Sequence, residues 1–391
     1  MSIFKLTKYY TEPEHKYNIV SIVVFRLKDN YKSSMIYYNG LKKLIDTMPH
    51  SLKQFYLRIY YDDSIIKPEH NDKNIDHEII NYWIPLFDKI KDLKHVQLAH
   101  YECTDFKIKG TIYHDGLFGT IIRFVPLFDY EDNKNIDIVI ISDIDTPGII
   151  FETTKSQLEF MEKHKTLIHY RTGSCYTSIP RFDLFTDDFI KKFPHAIIAN
   201  NIMAKMKFPH ELLDDFLIIM KNIDVEGNDI IKQFIENERK SIYKSLNVNI
   251  DNIFVYGIDE YILEKYIAQY IVTNRIPYSY TIYNSIERAL YAWFLRTEKF
   301  KDNDKYVGIM KQILGKYYID DKTVAENYDI LDKIIYKTKS PEKNYVYNNI
   351  FKIFEKLEQD NSYDKYNLRW RDIQCVTLYP HIKTEMFVGQ F

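Results

Sequence analysis

Two aspartates one residue apart, Asp143 and Asp145, close an apolar run that reads DIVIISDID over residues 137–145. Hard oxygen donors at this spacing can share one divalent cation, directly or through water. Mg2+ and Mn2+ favour such ligands and commonly bridge carboxylates to phosphates. A cation held there would neutralise a diphosphate leaving group. The plainer reading is that two aspartates close a strand and open a turn.

Other residue types could join that chemistry. Arg123 is the one cation in the apolar segment HDGLFGTIIRFVPLFD, residues 114–129. Its guanidinium matches phosphate geometry; the alternative is an interior ion pair or a snorkelling side chain. Asp259 and Glu260 open a helical pattern in YGIDEY, residues 256–261. As cap and first-turn acid they would stabilise the helix start; as carboxylates facing an acceptor, one of them would take a proton or orient a hydroxyl. Asn200 and Asn201 carry amides suited to sugar hydroxyls, or simply form a polar loop. Phe25 and Arg26 lie near the end of the first strong strand signal. There they are candidates for nucleotide contacts, with Phe25 stacking on a base, or else buried strand residues.

The elements that must position these groups alternate between strand and helix. Strand patterns cover residues 19–27, 54–61, 95–100 and 136–142, short runs rich in β-branched and aromatic residues. Helical spacing covers residues 38–48, 78–91 and 118–128. Such alternation predicts a largely parallel sheet with helices on both faces, which binds ligands beyond the carboxyl ends of its strands. Polar residues stand at three such ends, 28–30, 62–64 and 143–145. Helix signals at residues 285–300 and 341–358, and an aromatic, apolar tail over 366–391, predict a helical extension. The expected division is residues 1–280 and 281–391, with the tail packing back on the body.

Composition narrows the classes. The chain has 391 residues, and 53 basic side chains nearly balance 55 acidic ones for a net charge of −2. That balance argues against nucleic acid as a main partner. The 3 cysteines lie far apart without a CxxC pair, which fits a reducing compartment. No apolar stretch approaches the ~20 residues of a membrane span, and the first residues lack a signal-peptide core. The expectation is a soluble, unanchored chain in the cytoplasm. Skewed use of Ile, Lys, Asn, Asp and Tyr follows A/T-rich codons, and most of the 34 tyrosines are expected in core or half-buried positions. HExxH, GxSxG, GxxxxGK[ST] and GxGxxG patterns are all missing. A phosphohydrolase with an Asp nucleophile remains a rival reading, although Pro147 stands where its pattern wants Thr or Val. A further rival is an inert binding or virion protein on the same scaffold.

The run from Gly119 through Asp145 resembles the donor-binding segment of GT-A-fold glycosyltransferases, especially those similar to family 8. Its composition also resembles glycosyltransferases of amoeba-infecting giant viruses, which would place the chain in host cytoplasm or virion. The resemblance covers about residues 16–275. It implies a Rossmann-like α/β domain with a mixed, mostly parallel sheet. It implies a UDP-sugar or related nucleotide-sugar donor, and a glycan, protein or small-molecule acceptor. By resemblance Asp143 and Asp145 hold Mn2+ or Mg2+, Arg123 contacts donor sugar or diphosphate, and the acidic pair Asp259/Glu260 meets the acceptor. A late histidine completes the metal site in family 8-like enzymes, a role that would fall to His381. The acidic insertion over residues 129–134 departs from the pattern and bears on where Arg123 sits.

Overall fold

The computed structural model describes residues 4–26, 34–68, 73–107, 110–114, 117–145, 147–172, 189, 193, 197–221, 258–282 and 385–389. The chain divides into two compact units, Met1–Tyr170 with Ile198–Ser279, and Arg171–Ile197 with Tyr280–Phe391. The expected helices at 285–300 and 341–358, and His381, lie outside the described residues. Within the second unit, strand Glu385–Val388 places Phe387 against Tyr280 in a stacked pair with centroids 5.6 Å apart.

The first unit is α/β, built on a mixed sheet that is parallel in its core. Its strands are β1 (Lys5–Lys8), β2 (Tyr17–Val24), β3 (Phe55–Tyr61), β4 (Val96–Glu102), β5 (Ile136–Ile141), β6 (Ile168–Thr172), β7 (Ile202–Ala204) and β8 (Tyr278–Ile282). They lie in the order β1-β4-β3-β2-β5-β7-β6-β8. The pairs β2·β3, β2·β5 and β3·β4 are parallel; β1·β4, β5·β7 and β6·β7 are antiparallel. β2, β3 and β4 read as nearly unbroken apolar or aromatic runs because both their faces are covered. The chain moves from β2 outward to β3 and β4, then returns to the other side of β2 as β5. The switch point therefore lies between β2 and β5, where such sheets open a ligand crevice at the carboxyl ends.

One sheet face packs against helices α1 (Ser34–Ser51) and α2 (residues 73–90). In α1, Leu41, Leu44, Ile45 and Met48 recur at helical spacing and bury against Val20, Ile22, Leu57 and Ile59. α2 contains a π-helical turn, Ile79–Trp83, that leaves Trp83 wholly buried. Helix α3 (Gly148–His164) follows β5, α4 (Glu211–Lys221) follows β7, and α5 (residues 258–273) precedes β8. Among the described residues no helix is long and apolar enough to cross a membrane.

Three expectations need correction. The segment expected as a helix over 118–128 is a 3-10 run, Leu117–Leu127. Side-chain donors take its carbonyls: Ser21 Oγ donates to Arg123 O, Asn133 Nδ2 to Val125 O and Lys207 Nζ to Pro126 O. Those acceptors are diverted from an α-helical ladder, and Pro126 itself has no N–H to give one. Second, β2 ends at Val24, short of the expected end at 27, so Phe25 and Arg26 lie beyond it, while Asp143 and Asp145 follow β5 as expected, although β5 stops one residue early at Ile141. Third, β1 was not foreseen. It is a four-residue, lysine-bearing edge strand with no apolar run to announce it.

The other sheet face carries an unexpected charge. Ser21, Arg58 and Gln97 stand side by side across β2, β3 and β4. Arg58 is 1% exposed. Its Nε donates to Gln97 Oε1 at 3.0 Å, and its Nη2 to Tyr17 Oη at 2.8 Å and Glu12 Oε1 at 3.3 Å. The Tyr10 ring lies under the guanidinium at 5.1 Å. Burial works to raise the Glu12 carboxyl, but Arg58, Lys8 and Tyr17 outweigh it and hold it below the usual range. Glu12→Gln should therefore destabilise the fold by about 2 kcal/mol, less than a fully buried pair because Glu12 keeps 28% exposure. A depressed carboxyl contributes stability above its unfolded value and loses it as pH falls through the folded one. The gap in urea midpoint between wild type and Glu12→Gln should thus be present at neutral pH and close in acid.

Candidate functional site

The site begins where β5 stops. Ser142 and Asp143 continue the chain out of the sheet, and Ile144 turns back into the core, 5% exposed, among the residues beneath α1. Burying that side chain contributes about 2 kcal/mol and fixes the turn, so the flanking Asp143 and Asp145 keep partial exposure. This anchored turn keeps the two carboxylates neighbours. α1 approaches closely at Gly40, whose Cα faces the Ile144 carbonyl.

Arg123 joins the turn to the start of α5. Its Nη1 donates to Ser142 O at 3.2 Å and also meets Asp143 Oδ1. Its Nη2 donates to Asp259 Oδ2 at 2.9 Å. Asp259 Oδ1 accepts the Glu260 N–H at 3.1 Å. Asp259 therefore sits inside the first helical turn and spends its carboxylate on Arg123 and one backbone donor. The structure thus brings Arg123, Asp143, Asp259 and Glu260 into one cluster, with Asp145 acting on Asp143. The interior ion pair weighed for Arg123 is present, and its partners are the very carboxylates singled out for chemistry.

Arg123 donates to both Asp143 and Asp259, and Asp145 and Glu260 lie close enough to act on the same carboxylates. Glu260 is 6% exposed. Burial first, then the Asp259 and Asp143 carboxylates, raise its carboxyl well above the usual range, against the pull of Arg123. Burial and Asp145 also raise Asp143, against the pull of Arg123, but its side chain keeps 33% exposure and water relieves it more. The hard oxygen donors of Asp143 and Asp145, both partly exposed, fit Mg2+ or Mn2+. Asp143 and Asp145 are the residues that would hold the ion. Arg123 Nε has no hydrogen-bond partner among the described residues.

The remaining candidates fare differently. Asn200 and Asn201 do not present amides to a sugar. Asn200 is 5% exposed, and its Oδ1 accepts the Asp143 N–H at 3.1 Å, so it holds the turn. Asn201 is fully buried in a left-handed conformation, φ 61. Its Nδ2 donates to Thr153 Oγ1 at 3.1 Å and Gln157 Oε1 at 3.2 Å on α3, while its N–H reaches Ile141 O at 2.9 Å. Asparagine tolerates that backbone, and a single sequence gives no sign of it. Arg26 is likewise taken: buried, with Nη2 on Glu78 Oε2 at 2.8 Å, and Glu78 also receives Ser34 Oγ. It buttresses α1 and α2 and makes no nucleotide contact from that position. Phe25 stays half-buried, its ring over His114 with centroids 4.6 Å apart and its edge against Gly119, where a methyl group would lie 2.8 Å away.

Beneath Phe25 lies a buried polar group that sequence reasoning placed only as a strand end. Asp62 Oδ2 meets Lys107 Nζ at 2.8 Å and His114 Nε2 at 3.0 Å, and Tyr101 Oη lies 3.0 Å from the same ring nitrogen. Asp62 Oδ1 accepts from Ser64 N at 3.2 Å and caps the helical turn Asp63–Ile66. Burial opposes ionisation of Asp62, but His114 and Lys107 hold its carboxyl below the usual range. On other elements, Asp129, His210 and Glu211 also converge. There His210 Nδ1 and N–H already bond Asp129 Oδ1, at 3.0 and 2.7 Å.

Comparison with protein-family models finds no match, and a search of curated proteins finds none either. The reading of the site therefore rests on its own chemistry.

A raised carboxyl has a testable sign. The native state keeps the Glu260 proton that the unfolded chain releases above ~4.3. Wild type should therefore lose stability relative to Glu260→Gln as pH rises above that value. Urea titrations should show the variant gaining on wild type as pH rises from about 4 to 7, with the two converging near pH 4. A wild-type advantage that grows over that range would contradict a raised Glu260.

Proposed function

We propose that this chain is a metal-dependent glycosyltransferase of the GT-A kind, moving a sugar from a nucleoside-diphosphate donor, a UDP-sugar in the first instance, to an acceptor hydroxyl. The observation that carries this reading is the convergence of Asp143, Asp145, Arg123, Asp259 and Glu260 at the carboxyl end of β5, beside the β2/β5 switch point. A nucleotide would lie along that crevice, with Phe25, at the end of β2, offering an aromatic surface to its base. Asp143 and Asp145 would hold Mg2+ or Mn2+, which when bound offsets the charge of the departing diphosphate.

The protein's own groups divide the remaining work. Arg123 is pre-set by Asp143 and Asp259, so its charge stands by the leaving group without reorganising, as electrostatic stabilisation requires. Asp259 is engaged on both oxygens, and burial with its neighbours raises the Glu260 carboxyl. The pair is thus better suited to orienting donor or acceptor hydroxyls than to taking a proton. Asn200 acts through the Asp143 backbone.

The reading is tested by thermal unfolding with UDP, GDP and CDP, each with and without Mn2+. A ligand that binds only the folded state raises the midpoint. One nucleotide should do so only with Mn2+, and Asp145→Asn should abolish the rise. Turnover of the matching nucleotide-sugar should fall at least about a hundredfold in Asp145→Asn. No shift with any of the three nucleotides plus Mn2+, or full activity in Asp145→Asn, overturns the assignment.

A further inference from the structure

Gly40 stands in the middle of α1, where glycine costs about 1 kcal/mol relative to alanine. Its φ is ordinary for a helix, so backbone freedom does not explain it. The explanation lies across the helix surface. A methyl group on Gly40 would overlap the Ile144 carbonyl oxygen, sit 2.9 Å from the Ile144 carbonyl carbon and approach the Asp145 Cα at 3.6 Å. The obstacle is backbone, which cannot rotate aside as a long side chain can. α1 cannot readily withdraw either, because Leu41, Leu44, Ile45 and Met48 fix it to the sheet just beyond this point. From the other side, the turn is tied by the Asp143 N–H to Asn200 Oδ1 and by the buried Ile144 side chain.

We infer that Gly40 and Ile144 together are positioning residues for the cation-holding turn, setting where the carboxylates of Asp143 and Asp145 point. Neither touches the reacting atoms. Gly40 admits the turn against α1, and Ile144 pins it there. The inference rests on the proposed metal-dependent reading of Asp143 and Asp145. It adds two apolar positions that carry no chemistry of their own.

The experiment measures the dissociation constant for Mn2+ in the full chain by the electron paramagnetic resonance of free Mn2+, with UDP present, for wild type, Gly40→Ala and Ile144→Val. Gly40→Ala should bind Mn2+ about tenfold more weakly, the scale of losing a group that orients a ligand, and Ile144→Val several-fold more weakly. Circular dichroism should report an unchanged fold, and excess Mn2+ should restore the nucleotide-dependent thermal shift and turnover. A merely structural role would lower the metal-free midpoint without moving the Mn2+ constant. Equal Mn2+ constants in wild type and Gly40→Ala overturn the inference and leave the function standing. If Gly40→Ala does not fold, an unchanged constant in Ile144→Val overturns it. A wild-type chain that binds no Mn2+ overturns both the function and this inference.

Discussion

The candidate site depends on a single buried guanidinium. Arg123 is 5% exposed and reaches two carboxylates, one 20 and the other 136 positions away in sequence. A charge removed from water in this way is tolerated only with opposite charge and hydrogen bonds around it. Asp143 and Asp259 are the charge partners of Arg123, and Arg123 stays buried because they are there. That need draws three segments together: the 3-10 run that carries Arg123, the turn after β5, and the first turn of α5. Ser21 Oγ on the central strand secures the Arg123 carbonyl at 2.7 Å, so the sheet also holds the backbone from which the guanidinium extends.

Much of this arrangement was legible in the residues, and the reasons are physical. A run of β-branched residues ending in charges must become a strand with a polar exit, which located Asp143 and Asp145 at the rim of the sheet. The alternation of β2, α1, β3, α2 and β4 announced the parallel core. The failures share a different cause. Asn200 and Asn201 have amides that suit a sugar, but their direction depends on a left-handed backbone at Asn201 and on acceptors of α3 more than forty positions away in sequence. Arg26 was assigned by its place after a strand, yet Glu78 and Ser34 across the helix layer claim that neighbourhood. The 3-10 form of Leu117–Leu127 depends on donors from Ser21, Asn133 and Lys207, none of them local in the pattern that suggested an α-helix. Periodicity records which residues avoid water; it does not record where a polar side chain finds its partner.

Gly40 is a case in which the sequence did carry a signal. A glycine amid residues at helical spacing costs stability unless something needs the space. The missing information was what approaches it, and that is the backbone of Ile144. The apolar residue between two aspartates then has a role as definite as theirs. It is buried so that its neighbours are not, and a turn that would otherwise sample many directions holds the two carboxylates near one place.

The first unit holds a second buried guanidinium, and the two differ in what surrounds them. Glu12 answers both Arg58 and Lys8, and burial with the Arg58 charge lowers the Lys207 amine to about 7. Tyr10, Tyr17 and Gln97 close over Arg58 and leave it 1% exposed. Around Arg123, burial and neighbouring carboxylates raise Glu260 and Asp143, while Asp143 and Asp145 keep partial exposure. The Arg58 network ties the N-terminal segment across the sheet. Arg58 and Arg123 thus make the same kind of bond in different settings, one fastening the first residues to the sheet and the other standing beside two partly exposed carboxylates at a strand end.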